Sequence, residues 1–203
     1  MQSRMRQIGG LQFQQLGLHF APHLSMDVFS GVTVPVANML AKSKYKTLAQ
    51  DETIQALAEE WRERPVGLFL KHLKETGRQE YKQFLNPHGD KTYTQFVLSA
   101  PSSGKLKGVY AYFVDDSLKY VGRCKDSMRR RVDNGYGKID PYNCIKSGQS
   151  TNCRINSLIA QQQDSVSLWL CPMTNNSIIE RSESALIGTL QPEWNSQSGK
   201  RFL

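Results

Sequence analysis

No stretch of about 18 consecutive apolar residues occurs along the 203 residues, so no segment is expected to cross a membrane as a helix. Met1 to Gly10 lacks the apolar run of a secretory leader. Cysteine is scarce: it stands at 124, 144, 153 and 171, and no pair has the C-x₂-C or C-x₄-C spacing of a zinc site. Free thiols in a reducing, cytoplasmic compartment are the expected state. There is no internal repeat, which excludes solenoids and propellers. Acidic residues are in deficit: 18 Asp and Glu stand against 26 Lys and Arg, a net charge of +8. Such an excess fits a polyanionic partner, nucleic acid foremost, and equally a basic protein without one. What is present suits a folded globular chain, with 39% apolar and 22% charged residues.

The clearest break is Ala100-Pro101-Ser102-Ser103-Gly104, followed by the basic Lys105 and Lys107. Pro, Ser and Gly extend neither helix nor central strand well, so a boundary is expected there, between a mostly helical region at 1–104 and a second domain at 105–203. Asp51 to Arg64 places Ile54, Leu57 and Trp61 on one helical face, with Pro65 just beyond. Phe69, Leu70 and Leu73 continue that pattern, and Gly77 is the expected C-cap. Residues 11–48 show no clean period.

After the break the period changes to two. Gly108 to Val114 reads as a strand with Val109, Ala111 and Phe113 on one side and Tyr110 and Tyr112 on the other. Asp115-Asp116-Ser117 is turn material, and Leu118 to Val121 returns as a second strand. A basic helix follows, with Met128 and Val132 inward and Asn134-Gly135-Tyr136-Gly137 as its stop. A loop from Lys138 to Thr151, a helix from Asn152 to Gln161 and a strand from Val166 to Cys171 come next. Ser177-x-x-Glu180 is a capping-box signature for a helix to about Leu190. The order implies an α+β domain with a small antiparallel three-stranded sheet flanked by helices.

Three features carry chemistry. Ile179, Leu186 and Leu190 fall on one face of the last helix, and Glu183 lies between them. A carboxylate at the edge of an apolar face is costly unless it pairs with a cation, such as a nearby arginine other than Arg181, or binds a metal. Two tyrosines sit beside glycines on paired strands, in Gly108-Val109-Tyr110 and Tyr120-Val121-Gly122. Arg129, Arg130 and Arg131 run together just after, and between Lys119 and Lys146 eight Lys and Arg stand against three Asp.

This series (Gly-Val-Tyr, Tyr-Val-Gly ten residues on, a helix with Met128-Arg129-Arg130-Arg131-Val132, Glu183, then Pro192-x-Trp194-Asn195) resembles the GIY-YIG nuclease superfamily over about residues 106–197. That superfamily includes homing endonucleases, an excision-repair incision subunit and several Type II restriction enzymes. The resemblance implies a GIY-YIG fold and a DNA endonuclease, most simply a site-specific one of restriction or mobile-element type. A structure-reading repair nuclease and a non-catalytic DNA-binding protein are the alternatives. It implies that Tyr110 and Tyr120 line the site beside the attacking water and that Glu183 binds Mg²⁺ (or Mn²⁺). Asn195 would hold the scissile strand or the loop around it. The local phrase, an aliphatic residue, two residues, Arg and an aliphatic residue, makes Arg131 the phosphate clamp, with Arg130 the alternative by distance from Tyr120. Relatives carry a His or Tyr one turn after that arginine; that position is Asn134 or Gly135 in this chain, with Tyr136 one further on. Tyr110 or Tyr136 would deprotonate the water, its pKa lowered by the arginines. Arg123, Arg129 and Lys138, with Asn143, Gln149, Asn152 and Arg154 of the polar segment, are candidate DNA contacts, the segment being equally readable as an ordinary loop. DNA is the implied partner, and double-strand cutting would imply a homodimer or sequential nicks.

Overall fold

The computed structural model describes residues 4–195. Its strands are β1 (Met5–Ile8), β2 (Leu11–Leu16), β3 (Leu18–Phe20), β4 (Phe96–Leu98), β5 (Gly108–Val114), β6 (Ser117–Cys124) and β7 (Val166–Pro172). The helices are α1 (Val36–Leu40), α2 (Lys46–Ala49), α3 (Glu52–Ala58), α4 (Val66–Glu75), α5 (Met128–Arg131), α6 (Pro141–Cys144), α7 (Ser150–Ala160) and α8 (Asn176–Leu190). They form two compact units, one from the described parts of Met1–Pro22, Gln95–Gly137 and Gln161–Leu203, the other from His23–Thr94 and Lys138–Ala160.

The first unit is α+β. Its main sheet has five strands in the order β1-β2-β7-β5-β6, every neighbouring pair antiparallel. The expected three strands β6, β5 and β7 are adjacent, but the sheet is not limited to them. Residues expected to precede the sheet domain supply β1 and β2, which extend it beyond β7. Gly9 and Gly10, both at positive φ, make the two-residue turn that closes this hairpin, with Ile8 paired to Leu11. β3 and β4 form a separate two-stranded ribbon.

The side-chain alternation expected of β5 holds. Val109, Ala111 and Phe113 join Ile8, Phe13, Val121 and Trp169 in a core that also takes Ile179 and Leu186 of α8. Burial of each such aliphatic residue contributes roughly 1.5–3 kcal/mol and fixes α8 against that face of the sheet. Leu190, expected on the same helical face, is exposed, because α8 ends there. The capping-box expectation is also corrected: Asn175 is the N-cap, its side chain accepting from the amides of Ser177 and Ile178. Glu180 instead pairs with Lys125.

The second unit is helical around Phe29, Val36, Ile54, Phe69, Leu70, Leu73 and Phe84. The helix expected over 51–64 is shorter. Asp51 caps α3 by accepting from the amide of Ile54, and the chain tightens to a 3₁₀ turn at Glu59–Trp61. Gly77 does cap α4: its amide reaches the Lys74 carbonyl and that of Arg78 the Leu73 carbonyl. Ile139, Cys144, Ile145 and Cys153 also belong to this core. A division at 104/105 therefore does not describe the packing. The Pro101–Lys105 segment is a 3₁₀ turn inside the first unit, and residues 138–160 leave that unit for the second. All four cysteines are free and buried. No helix among the described residues is long and apolar enough to cross a membrane.

Candidate active site

The tyrosines of the site lie on the face of the sheet opposite the core that packs α8. β5 and β6 pair Tyr110 with Gly122 and Tyr112 with Tyr120, which collects the tyrosines on one surface. Gly122 is what allows this. A Cβ on it would stand 2.5 Å from the Tyr110 Cζ and hydroxyl and 2.8 Å from a Tyr120 ring carbon. Tyr110 therefore lies across the strand where any other residue would place a side chain. Gly122→Ala is expected to destabilise the fold by about 1–3 kcal/mol through overpacking. A denaturant melt measures this, and an unchanged midpoint would contradict the packing of Tyr110 over Gly122.

The next contribution comes from α5. Ser127 caps it, accepting from the Arg130 amide, and Met128 is fully buried beneath it. Beyond Arg131 the helix widens to a π turn over Val132–Tyr136, closed by the Gly137 amide on the Val132 carbonyl at 2.7 Å. In an α-helix the residue one turn after Arg131 is Gly135; the wider turn, bonded i to i+5, puts Tyr136 there instead. The Tyr136 hydroxyl receives a hydrogen bond from Tyr110 at 3.0 Å and lies 3.2 Å from the Tyr120 hydroxyl. Tyr112 packs its ring against Tyr110, Tyr120 and Tyr136, and its buried hydroxyl has no hydrogen-bond partner among the described residues.

Arg131 is half-buried within electrostatic reach of Tyr110, Tyr136, Tyr120 and the Cys124 thiol. Arg130 points away, exposed and paired with Asp126 one turn earlier at 2.9 Å. Arg129 is exposed beside Gly104. The structure thus brings Arg131 to the tyrosines and leaves Arg130 outside. The expectation that the arginines lower the Tyr110 pKa is corrected. Burial raises it well above the ordinary phenol value, the neighbouring Tyr136 and Tyr120 add to the rise, and Arg131 only partly opposes it. Tyr120 is raised too, by burial first and Tyr136 second. Both are neutral phenols at pH 7, suited to donating hydrogen bonds rather than to accepting a proton at rest.

Glu183 meets β6 from α8. Its Oε2 accepts from Arg123 Nη1 at 2.6 Å, and its side chain is 14% exposed. Burial lifts its pKa above the ordinary carboxylate range, with Arg123 and then Arg131 pulling the other way. Of the two ways to keep a carboxylate at that position, the ion pair is therefore realised, and Arg123 is its partner. No cluster of three or more His, Cys, Asp or Glu occurs among the described residues. A metal held by Glu183 would have one protein ligand and complete its shell with water and phosphate oxygens. That donor set fits Mg²⁺ or Mn²⁺ and does not fit zinc.

Asn195 bonds to the protein backbone. Its Oδ1 accepts from the Val121 amide at 2.9 Å and its Nδ2 donates to the Val121 carbonyl at 2.8 Å. With the Trp194 amide on the Lys119 carbonyl and Lys119 paired to Glu193, the Pro192–Asn195 segment runs along the free edge of β6. Asn195 thus fixes the backbone between Tyr120 and Gly122.

Five of the expected DNA contacts, Lys138, Asn143, Gln149, Asn152 and Arg154, belong to the second unit. Asn143 is a helix-capping residue, its side chain accepting from the Asp140 amide, and Asn152 is buried against Gln149. Their polar atoms are engaged in holding the chain. Lys138 is exposed and Arg154 half-buried. Tyr112 is a further neighbour of the site, and the signal for it in the sequence is its spacing of two from Tyr110, which places it on the same face. Comparison of the chain with protein-family models, curated proteins and solved structures finds no match.

Proposed function

We propose that this protein is a Mg²⁺-dependent DNA endonuclease of GIY-YIG type that hydrolyses phosphodiester bonds at specific sites. The observation that carries the reading is the hydroxyl trio of Tyr110, Tyr136 and Tyr120 beside a half-buried Arg131, with Glu183 within electrostatic reach of Tyr120 and Arg131. Tyr120 is the least buried of the three, so it is the hydroxyl placed to orient the attacking water. Tyr136 and Tyr110 behind it fix its orientation through the hydrogen-bonded chain. Arg131 presents its planar fork to the non-bridging phosphate oxygens, where charge develops. Glu183 is the residue that would hold Mg²⁺, with Mn²⁺ an acceptable substitute. A metal held there would supply neutralisation of phosphate charge and stabilisation of the leaving oxygen. Arg123 pairs with Glu183 through Oε2 and would hold the carboxylate in place.

Incubating plasmid DNA with the protein and Mg²⁺, against an EDTA control, tests this. Discrete fragments are the expected outcome. Nicks or smears without preferred sites would turn the reading toward a structure-specific repair nuclease. Binding without any cut in Mg²⁺ or Mn²⁺ would leave only a DNA-binding protein.

A further inference from the structure

We propose that a lysine-lined cleft at one end of the five-stranded sheet binds phosphates of the DNA strand beside the bond that is cut, an inference that rests on the nuclease reading. The cleft has a volume of about 540 Å³, with Lys105, Lys107 and Lys125 on its rim and Leu106, Pro172 and Met173 in its walls. Its position follows from strand register. Gly108 pairs with both Cys124 and Pro172, so the start of β5, the end of β6 and the end of β7 meet there. Lys107 immediately precedes the first and Lys125 immediately follows the second.

The charge in this cleft is largely uncompensated. Lys105 is exposed and forms no ion pair among the described residues, and Lys107 donates only to the neutral Asn176 amide oxygen at 3.0 Å. Lys125 pairs with Glu180, but both side chains are more than two-fifths exposed, so a phosphate can displace the carboxylate at little cost. Asp126, the carboxylate in the lining, is already engaged by Arg130.

The cleft and the candidate site are linked along α8. Asn176, Glu180 and Glu183 are spaced i, i+4 and i+7 on α8, which puts them on one face. They meet Lys107, Lys125 and Arg123 in turn. A row of cations therefore follows α8 from the cleft to the carboxylate assigned to the metal. At 1.5 Å rise per residue the row is roughly 10 Å long, about three nucleotides of a duplex strand at 3.4 Å each. A row of that length ending at the reacting phosphate suits a polymer of phosphates better than a single small anion.

The experiment measures binding of a DNA duplex in EDTA over a salt series, for the unaltered protein and the double variant Lys105→Gln/Lys107→Gln. Each phosphate contact contributes about 0.9 to the slope of log affinity against log salt, so the variant is expected to lower the slope by roughly 1.8. Its affinity at low salt should fall tenfold or more. Cleavage with Mg²⁺ at saturating DNA should stay within about twofold, since neither lysine touches the reacting phosphate. The Lys105→Ala/Lys107→Ala pair should behave alike if charge rather than side-chain length is responsible. If the unaltered protein binds and cuts DNA while both variants keep its salt slope, the cleft proposal alone fails. If the unaltered protein neither binds nor cuts DNA, the nuclease reading fails and this proposal with it.

Discussion

Replacing Glu183 by glutamine is expected to lower Mg²⁺-dependent DNA cleavage by about a thousandfold while DNA binding in EDTA is retained. A metal supplies several kcal/mol of charge stabilisation in the transition state, and about 4 kcal/mol corresponds to that factor in rate. Glutamine preserves shape and keeps an oxygen for Arg123, now as a neutral acceptor, but is a poor ligand for a hard dication. The fold should survive. Burial raises the Glu183 pKa, so its charged form is held in the protein at a cost, offset by Arg123. The sign of that linkage is definite. With the folded pKa above the unfolded one, the native state binds the extra proton, and stability falls as pH rises through the interval between them. Glutamine cannot ionise, so this dependence disappears in the variant. Cleavage runs the other way, because the metal needs the carboxylate. On the nuclease reading, the unaltered protein should lose activity at limiting Mg²⁺ as pH drops through the raised Glu183 pKa, above where an ordinary carboxylate would titrate. A rate–pH profile at limiting Mg²⁺ reads that limb, since saturating metal would itself hold the carboxylate ionised. Wild-type cleavage by Glu183→Gln would remove Glu183 from the metal site, and Glu183→Ala should then cut as well.

Much of the site was legible because its chemistry is local. The alternation Tyr110/Tyr112 against Val109/Ala111/Phe113 follows from the two-residue period of a strand, and both sides pack as that period requires. Glu183 stood out because it interrupts the Ile179–Leu186 face, although sequence alone could not decide between an ion pair and a metal. Its partner, Arg123, is sixty positions away and emerges only when α8 lies over β6. Tyr136 was placed one residue too far because helical counting assumes 3.6 residues per turn, and nothing in Val132-Asp133-Asn134-Gly135 announces a π turn. The raised Tyr110 pKa is hidden in the sequence for a related reason. Three arginines nearby in sequence suggest strong positive charge, but only Arg131 reaches the tyrosines, and complete burial outweighs it. The fold was less legible than the site. Gly9-Gly10 between Ile8 and Leu11 is a hairpin signal, yet which sheet the hairpin joins depends on β2 meeting β7 more than 150 residues later. The helix of residues 150–160 has ordinary helical signals. That it packs with residues 23–94 is set by the long-range fit of Cys153 and Asn156 into that unit, with Asn156 bonded to the Thr94 backbone in both directions.

Arg131 and Arg130 offer the sharper contrast. Arg131→Lys is expected to lower the cleavage rate at saturating DNA by about 10²–10³-fold, the range found when one preorganised donor to a developing oxyanion is removed. Lysine keeps the charge, so binding of DNA in EDTA should change little. What it loses is the planar fork that two phosphate oxygens engage together, and the shorter reach of a point charge beside Tyr110 and Tyr120 does not replace it. The effect should therefore appear in the rate constant rather than in the apparent affinity, the mark of an interaction made in the transition state. Arg130→Ala should stay within about twofold in rate. Its guanidinium is exposed and spends itself on Asp126, a pairing that contributes little. Thermal melts of both variants check that neither result comes from unfolding. The assignment rests on the side of α5 that faces the tyrosines. If Arg130→Ala abolished cutting while Arg131→Lys left it intact, α5 would have to be rotated by one residue relative to the sheet. The π turn that carries Tyr136 to the trio would then bring a different residue there, and the whole hydroxyl arrangement proposed for the attacking water would fall with it.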